Sequence, residues 1–381
     1  MSVNDYGPIP GSSIFKGIAG QKTIVMAANT RVALVAEGIF AAARDADSAV
    51  FMELARSECD LKGGYTGLTP HDFGEKMREA AKAARCDVWA LHADHITIKT
   101  GDAQEVDQTR QLIDAQIEAG YTSFAIDASH LFNFEGKTPR EELSGNIGVT
   151  ADLARYIRSG MKGREFGLEV EVGEIGRKDN KGLILTKPSE AVEFIKALNE
   201  LDVFPQVLAI ANGSTHGHVY DQNGNVVEQL SIDIPQTKAI AAALRENKLD
   251  VGIAQHGITG TPRDLINLHF PKGDIIKGNV GTFWQDIVFE VLKIYEPGLY
   301  KDIQEWTIET YRPKNPGKKD SQIFDGNCKF AIKQFYKEIY SVEHATVRAI
   351  QARAYAESLV FFRAFGSYGS ASMVRKTMTG P

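Results

Sequence analysis

Cysteine is scarce in this 381-residue chain: Cys59, Cys86 and Cys328 are the only three, an odd number with no CxxC spacing. That excludes a disulfide framework and a thiolate zinc site and leaves isolated reduced thiols. No apolar run approaches the roughly 20 residues needed to span a bilayer, and residues 1–8 carry neither a positive nor an apolar leader segment. A cytoplasmic protein with no membrane partner is expected. An excess of basic charge is also missing. The formal net charge is -6 and the Lys and Arg residues are scattered, so there is no cationic field for nucleic acid. Neither an internal repeat nor a low-complexity segment occurs, and no Ser-His-Asp or Cys-His nucleophile arrangement is recognisable.

What the chain does have is alternation. Apolar runs rich in β-formers at 23–29, 49–54, 88–92, 123–126, 167–172, 206–211, 251–254 and 275–277 predict eight strands. Amphipathic stretches at 32–44, 70–84, 103–119, 151–159, 188–198, 235–246 and 262–268 predict helices between them. Eight such alternations predict an α/β architecture, a (β/α)8 TIM barrel, whose site sits at the carboxyl ends of the strands. A doubly wound open sheet would want a Gly-rich loop after its first strand, and Met26-Ala-Ala-Asn-Thr-Arg31 is not one. The barrel is expected over 1–295 and a mainly helical C-terminal extension over 296–381. The extension's stripe of Phe330, Phe335, Ile339, Tyr355 and Phe361 holds too much apolar surface to stay in water. It is expected to pack on the barrel or on a neighbouring subunit.

Four short stretches fall at predicted strand ends: His92-Ala-Asp94-His95, Glu169-Val-Glu171, His216-Gly217 and His256-Gly257. Imidazole and carboxylate together suit a borderline divalent cation such as zinc. Alternate strand residues share a face, so His92 and Asp94 point one way and His95 the other until the chain turns out of the barrel. Asp94 and His95, at the strand end, read as functional, and His92 as structural. Glu169 and Glu171 share one face, where burial is costly without a cation or a hydrogen-bonding partner. Glu169 reads as a layer residue satisfied by Lys or Arg inside the barrel. Gly217 and Gly257 let a ligand approach backbone N–H groups, which suits phosphate. Lys277-Gly-Asn279-Val-Gly281-Thr282 stands just before a helix amino terminus, a second place suited to phosphate. His71, His130, His218, His269 and His344 read as surface or core histidines, with His218 a candidate for the outer shell of the site.

These residues resemble the class II, metal-dependent fructose-bisphosphate aldolase family, from about residue 14 to 284 and in the right order. The family's H-x-D-H, E-x-E-x-G, T/V-H-G, H-G and K-x-N-x-x-T patterns are matched by His92-Ala-Asp-His95, Glu169-Val-Glu-Val-Gly173, Thr215-His-Gly217, His256-Gly257 and Lys277-Gly-Asn-Val-Gly-Thr282. The resemblance implies that His95, His216 and His256 bind Zn²⁺ or another divalent ion, with Glu171 an alternative ligand or outer group and with room for a monovalent cation. It implies that Asp94 moves the proton at the substrate hydroxyl. Asn29, Gly217, Gly257, Thr259, Asn279 and Thr282 would hold the phosphate and the ketose end. The implied activity is reversible retro-aldol cleavage of a phosphorylated ketose, of the fructose 1,6-bisphosphate or tagatose 1,6-bisphosphate type, to dihydroxyacetone phosphate and an aldehyde. A homodimer or homotetramer is implied as well.

Departures concern the acceptor side. The loop after the fifth strand reads Gly176-Arg-Lys-Asp179-Asn180 instead of Gly-Gly with acidic residues, so Asp179 is the nearest candidate for the carbon base. Gly281 stands where the family has Asp, and a phosphate-binding Lys after the first His-Gly is missing, with Tyr220 and Asp221 nearby. The second strand ends in Leu54-Ala-Arg56-Ser57. Three alternatives follow: an aldolase-like barrel acting on a different sugar phosphate, a metal hydrolase activating water, and a non-catalytic aldolase-related subunit. The lack of a His-x-His pair on the first strand counts against the hydrolase.

Overall fold

A computed structural model describes residues 6–174, 178–179, 182–214, 219–220 and 226–379; at 178, 179, 182, 219, 220 and 226 it describes the backbone alone. Each of the eight apolar runs becomes a strand. In chain order they are β1 (Val25–Asn29), β2 (Val50–Ala55), β3 (Trp89–Thr97), β4 (Ser123–Asp127), β5 (Gly167–Glu171), β6 (Val207–Ala209), β7 (Gly252–Gln255) and β8 (Ile275–Val280). All pair in parallel, and the ring closes where Val25 of β1 lies opposite Lys277 of β8. Beyond β5 and β6 stand two short hairpins, Lys178–Asp179 with Gly182–Leu183 and Val219–Tyr220 with Val226–Val227.

Strand alternation sorts the barrel interior into levels. Val25 and Ala27 of β1, Phe51 of β2, Ala90 of β3, Val207 and Ala209 of β6 and Ala254 of β7 join one apolar cluster with Ile14, Phe15, Ile18 and Val374. That cluster fills the amino-terminal end of the barrel, under helix Gly11–Gly17 and helix Ser370–Thr379. Toward the carboxyl ends, on or just beyond six of the strands, the inward positions turn polar: Asn29, Glu53, His92, Glu169, His256 and Asn279, all buried. The outward face of the strands packs under the surrounding helices in a second, larger cluster.

Helix Pro70–Ala84 starts as predicted because Thr69 and Asp72 cap each other: the Asp72 N–H donates to Thr69 Oγ1 at 3.3 Å, and the Thr69 N–H to Asp72 Oδ2 at 3.0 Å. Helix Ser144–Met161 starts seven residues before the predicted 151. Gly145 and Gly148 weaken helix propensity there, but Ile147 is buried and the Asn146 side chain donates to the Glu171 carbonyl at 2.9 Å. Tertiary contacts override the local signal. Helix Thr282–Tyr295, whose amino terminus was expected after the eighth strand, completes the eighth unit.

The extension is helical over Pro297–Tyr311, Asp320–Asn327, Ala331–Gln334, Tyr336–Tyr340, His344–Phe365 and Ser370–Thr379. Its longest helix, His344–Phe365, runs along Ala36–Asp45 so closely that a Cβ at Gly38 would lie 2.1 Å from the Gln351 carbonyl oxygen, and only glycine fits. No described helix is long and apolar enough to cross a membrane.

Candidate active site

The carboxyl end of β3 positions the first two functional side chains. Its pairing with β4 shifts register between Ala93 and Ile96, where β3 carries one residue more than its partner. This β-bulge places His95 at φ 39°, in the left-handed region that non-glycine residues rarely adopt. A regular strand would send His95 out toward the helices. The bulge turns it inward beside Asp94.

His95 Nε2 then lies 3.1 Å from His256 Nδ1 on the loop after β7, and His95 Nδ1 lies 3.0 Å from Glu171 Oε2 and 3.6 Å from Asp127 Oδ2. Asp94 Oδ2 is 3.9 Å from His95 Nε2. Asp94, His95 and His256 offer ligand atoms that all lie within 4.8 Å of one another, and so do His95, Asp127 and Glu171. His216 and Gly217 lie outside the described residues, as does the side chain of Asp179.

Charge in this cluster is dominated by acids. Burial opposes protonation of His95, but Asp94 and Glu171 outweigh it and push the imidazole well above its ordinary value. Burial and the nearby His95 push His256 down. Burial and the Asp127 charge push Glu171 up to about 8, whereas Asp127, despite burial, is held at about 2 by its bond with His95. Two imidazoles ringed by three carboxylates are a donor set that fits a divalent cation, which would replace the His95 proton as the positive charge among them.

Beneath this cluster sits a group that sequence reasoning named within a motif but did not place in the site. Lys277 of β8 is fully buried, with Nζ 2.7 Å from Glu169 Oε2, 3.1 Å from Glu53 Oε2 and 3.1 Å from His92 Nε2. The expected partner of Glu169 is therefore a lysine. His92 is held from both sides, its Nδ1 being 2.8 Å from Ser123 Oγ. Glu53 escaped notice because a lone carboxylate in an apolar run carries no pattern. Its burial, with the Asp94 charge, pushes it well above the usual carboxylate range despite Lys277.

A cavity of about 690 Å³ opens over both levels. Asn29, Gly257, Thr259, Asn279 and Thr282, the five described residues expected to hold the ketose phosphate, all line it. Gly257 has φ 68°, which favours glycine. The amino terminus of helix Thr282–Tyr295 faces the same space, a setting suited to an anion.

The opposite wall is built around Glu58. It accepts from Arg31 Nε at 2.9 Å, from the Tyr65 hydroxyl at 2.6 Å and from the Ala55 N–H at 2.8 Å. Arg31 also donates to Thr282 Oγ1 at 3.3 Å. A Cβ at Gly281 would meet Arg31 Nη2 at 3.5 Å and Asn29 Cβ at 3.7 Å, ordinary contacts, so packing does not demand glycine there. Lys329, brought by the extension, lies over the Tyr65 ring at 5.6 Å and lines the cavity with Arg31 and Arg56. Sequence reasoning named Arg56 but missed Arg31, Glu58, Tyr65 and Lys329, because only the fold joins loops after β1 and β2 to residue 329.

Burial alone would raise the Glu58 carboxyl, but Arg31, Tyr65 and the Ala55 N–H hold it below the ordinary range. A depressed carboxylate adds stability above its unfolded pKa of about 4.3 and loses it as pH falls through the folded value. Glu58→Gln is therefore expected to lower the unfolding free energy at pH 7 by about 1.5–3 kcal/mol, the scale of hydrogen bonds to a charged group. The deficit should shrink on acidification. Urea unfolding at pH 7 and pH 4 measures it, and a deficit that grows at pH 4 contradicts the ion pair.

Residues 11–345 match the family described as fructose-bisphosphate aldolase class-II. The fructose-bisphosphate aldolase of Streptococcus pyogenes serotype M6 is 31% identical over 193 residues, 51% of this chain and 52% of that protein. That of Helicobacter pylori strain J99 is 26% identical over 196 residues, again 51% of this chain and 52% of that protein. The chain thus spans about half the length of the curated relatives it matches. The YdjI aldolase from Escherichia coli K12 has a TM-score of 0.61 at 17% identity, covering 95% of this chain and 99% of that one. A probable tagatose 6 phosphate kinase from Sinorhizobium meliloti 1021 has a TM-score of 0.60 at 16% identity, covering 92% of this chain and 96% of that one. At such identities the likeness is one of barrel fold alone.

Proposed function

Because the chain belongs to the class II fructose-bisphosphate aldolase family, whose members are metal-dependent carbon–carbon lyases, we propose that it catalyses reversible retro-aldol cleavage of a phosphorylated ketose. The products are dihydroxyacetone phosphate and an aldehyde. The observation that carries this reading is the convergence of Asp94, His95 and His256 at the floor of a large cavity over the strand ends.

His95 and His256, with His216 and with Glu171 as an alternative, would hold the divalent cation, for which Zn²⁺ is our assignment. When bound, it supplies a Lewis acid that polarises the substrate ketone. The residues of the chain do the rest. Asp94, one oxygen tied to Asn279 Nδ2 at 3.2 Å, takes the proton from the hydroxyl that becomes the aldehyde as the carbon–carbon bond breaks. The electron pair of that bond stays with the dihydroxyacetone phosphate half, and Asp179 returns a proton to its carbon. Gly257, Thr259 and Thr282 hold the phosphate near the helix amino terminus. The buried wall around Arg31, with Gly281 leaving room beside it, supports an acceptor other than the one released from fructose 1,6-bisphosphate. An aldolase acting on a different sugar phosphate is therefore the reading we place second. A homodimer or homotetramer in the cytoplasm completes the proposal.

The test is cleavage of fructose 1,6-bisphosphate, tagatose 1,6-bisphosphate and a wider panel of ketose phosphates by the purified protein. Activity should vanish with chelator and return with Zn²⁺; inactivity of zinc-loaded protein against the whole panel refutes the proposal in favour of a non-catalytic relative. Asp179→Ala should slow hydrogen exchange at dihydroxyacetone phosphate, read by loss of tritium to solvent. Unchanged exchange removes Asp179 from the mechanism.

A further inference from the structure

Lys277 poses a physical problem. Burying an ammonium costs several kcal/mol, and a buried ion pair adds little stability over an apolar replacement. Stability therefore does not explain a lysine at the centre of a barrel. Its contacts offer another reason. Glu169, whose Oε2 lies 2.7 Å from Lys277 Nζ, presents its other oxygen, Oε1, to His256 Nε2 at 3.6 Å. Nδ1 of the same ring faces His95 Nε2 at 3.1 Å, within the donor cluster. His256 thus turns one nitrogen toward the other ligand and the opposite nitrogen toward a carboxylate, the arrangement by which an outer carboxylate sets the tautomer and direction of a ligand histidine.

We propose that Lys277 is a positioning residue for the metal centre: its ammonium clamps Glu169, which takes the Nε2–H of His256 and leaves Nδ1 as the lone-pair donor to the cation. The same ammonium reaches Asp94 by a second route. Glu53, 3.1 Å from Lys277 Nζ, accepts from Asn279 Nδ2 at 2.8 Å, and Asn279 donates in turn to Asp94 Oδ1. One buried charge therefore sets the direction of both a ligand and the proton carrier. The inference rests on the metal reading above and adds to it the residues that aim the ligand.

The experiment measures zinc affinity of the full chain by competition with a chromophoric chelator, and the visible absorption of the Co²⁺-loaded protein. Lys277→Met and Glu169→Gln should each weaken zinc binding about 10- to 100-fold and alter the cobalt spectrum. The double variant should be no weaker than the worse single one, because both act through one link. Ser123→Ala, which removes the partner of His92 Nδ1 in the same layer, should lower thermal stability and leave zinc affinity unchanged. If Lys277→Met fails to fold, the isosteric Glu169→Gln carries the test. Folded Glu169→Gln with unchanged affinity and spectrum overturns the relay while leaving the metal site standing. Absence of zinc binding by the unsubstituted protein overturns the metal reading and the relay with it.

Discussion

Asp94→Ala is expected to lose about 10²–10⁴ of kcat, the range for a positioned acid–base group, and to keep its zinc. Its carboxylate lies in the donor cluster with His95 and His256, so its type alone leaves it open to a ligand's role. The hydrogen bonds favour the role of proton carrier proposed above. Oδ1 is committed to Asn279 and lies 3.9 Å from Lys277 Nζ, which fixes the carboxylate from below, while Oδ2 is left facing the cavity beside His95. A group so held can exchange a proton with substrate without supplying a metal bond, since the histidines already provide neutral donors. Steady-state turnover together with zinc content per chain separates the two roles. A variant that has lost its zinc makes Asp94 a ligand and moves the proton transfer elsewhere.

Phe361→Ala is expected to cost about 3–5 kcal/mol, the usual range for emptying a large aromatic site. The ring is fully buried, with centroids 5.2 Å from Phe283, 5.7 Å from Trp284 and 5.7 Å from Phe365, and the Arg263 guanidinium lies 4.1 Å over its face. Phe283 and Trp284 open the helix that follows β8, so the ring ties the extension to the helix whose start faces the cavity. Truncation removes apolar contact and a cation–π partner together. Urea denaturation followed by circular dichroism measures the loss; a change under 1 kcal/mol would mean that the site collapses around the smaller side chain.

Strands were the most legible part of the chain, because a parallel barrel buries both faces and each strand reads as a short, mainly apolar run. Runs such as 49–54 and 167–172 could hardly be helices at that length. Helix Ser144–Met161 was half hidden because its glycines suppress the local signal, and its first turns depend on contacts that only the fold provides. The expected role of Glu169 as a layer residue met by a cation agrees with Lys277, whereas the bulge that redirects His95 has no signature in His92-Ala-Asp-His95. Alternation predicted opposite faces for Asp94 and His95, and one extra residue in β3 brought them together. The wall around Glu58 was illegible for a different reason. Arg31, Glu58 and Lys329 are ordinary loop charges in sequence, and their pairing depends on closure of the barrel and docking of the extension.

The apolar floor of the barrel has a kinetic consequence. Helices Gly11–Gly17 and Ser370–Thr379 seal one end of the ring with Ile14, Phe15 and Val374, so traffic passes through the opposite mouth alone. Under the proposed function, the substrate and both products would share that one mouth.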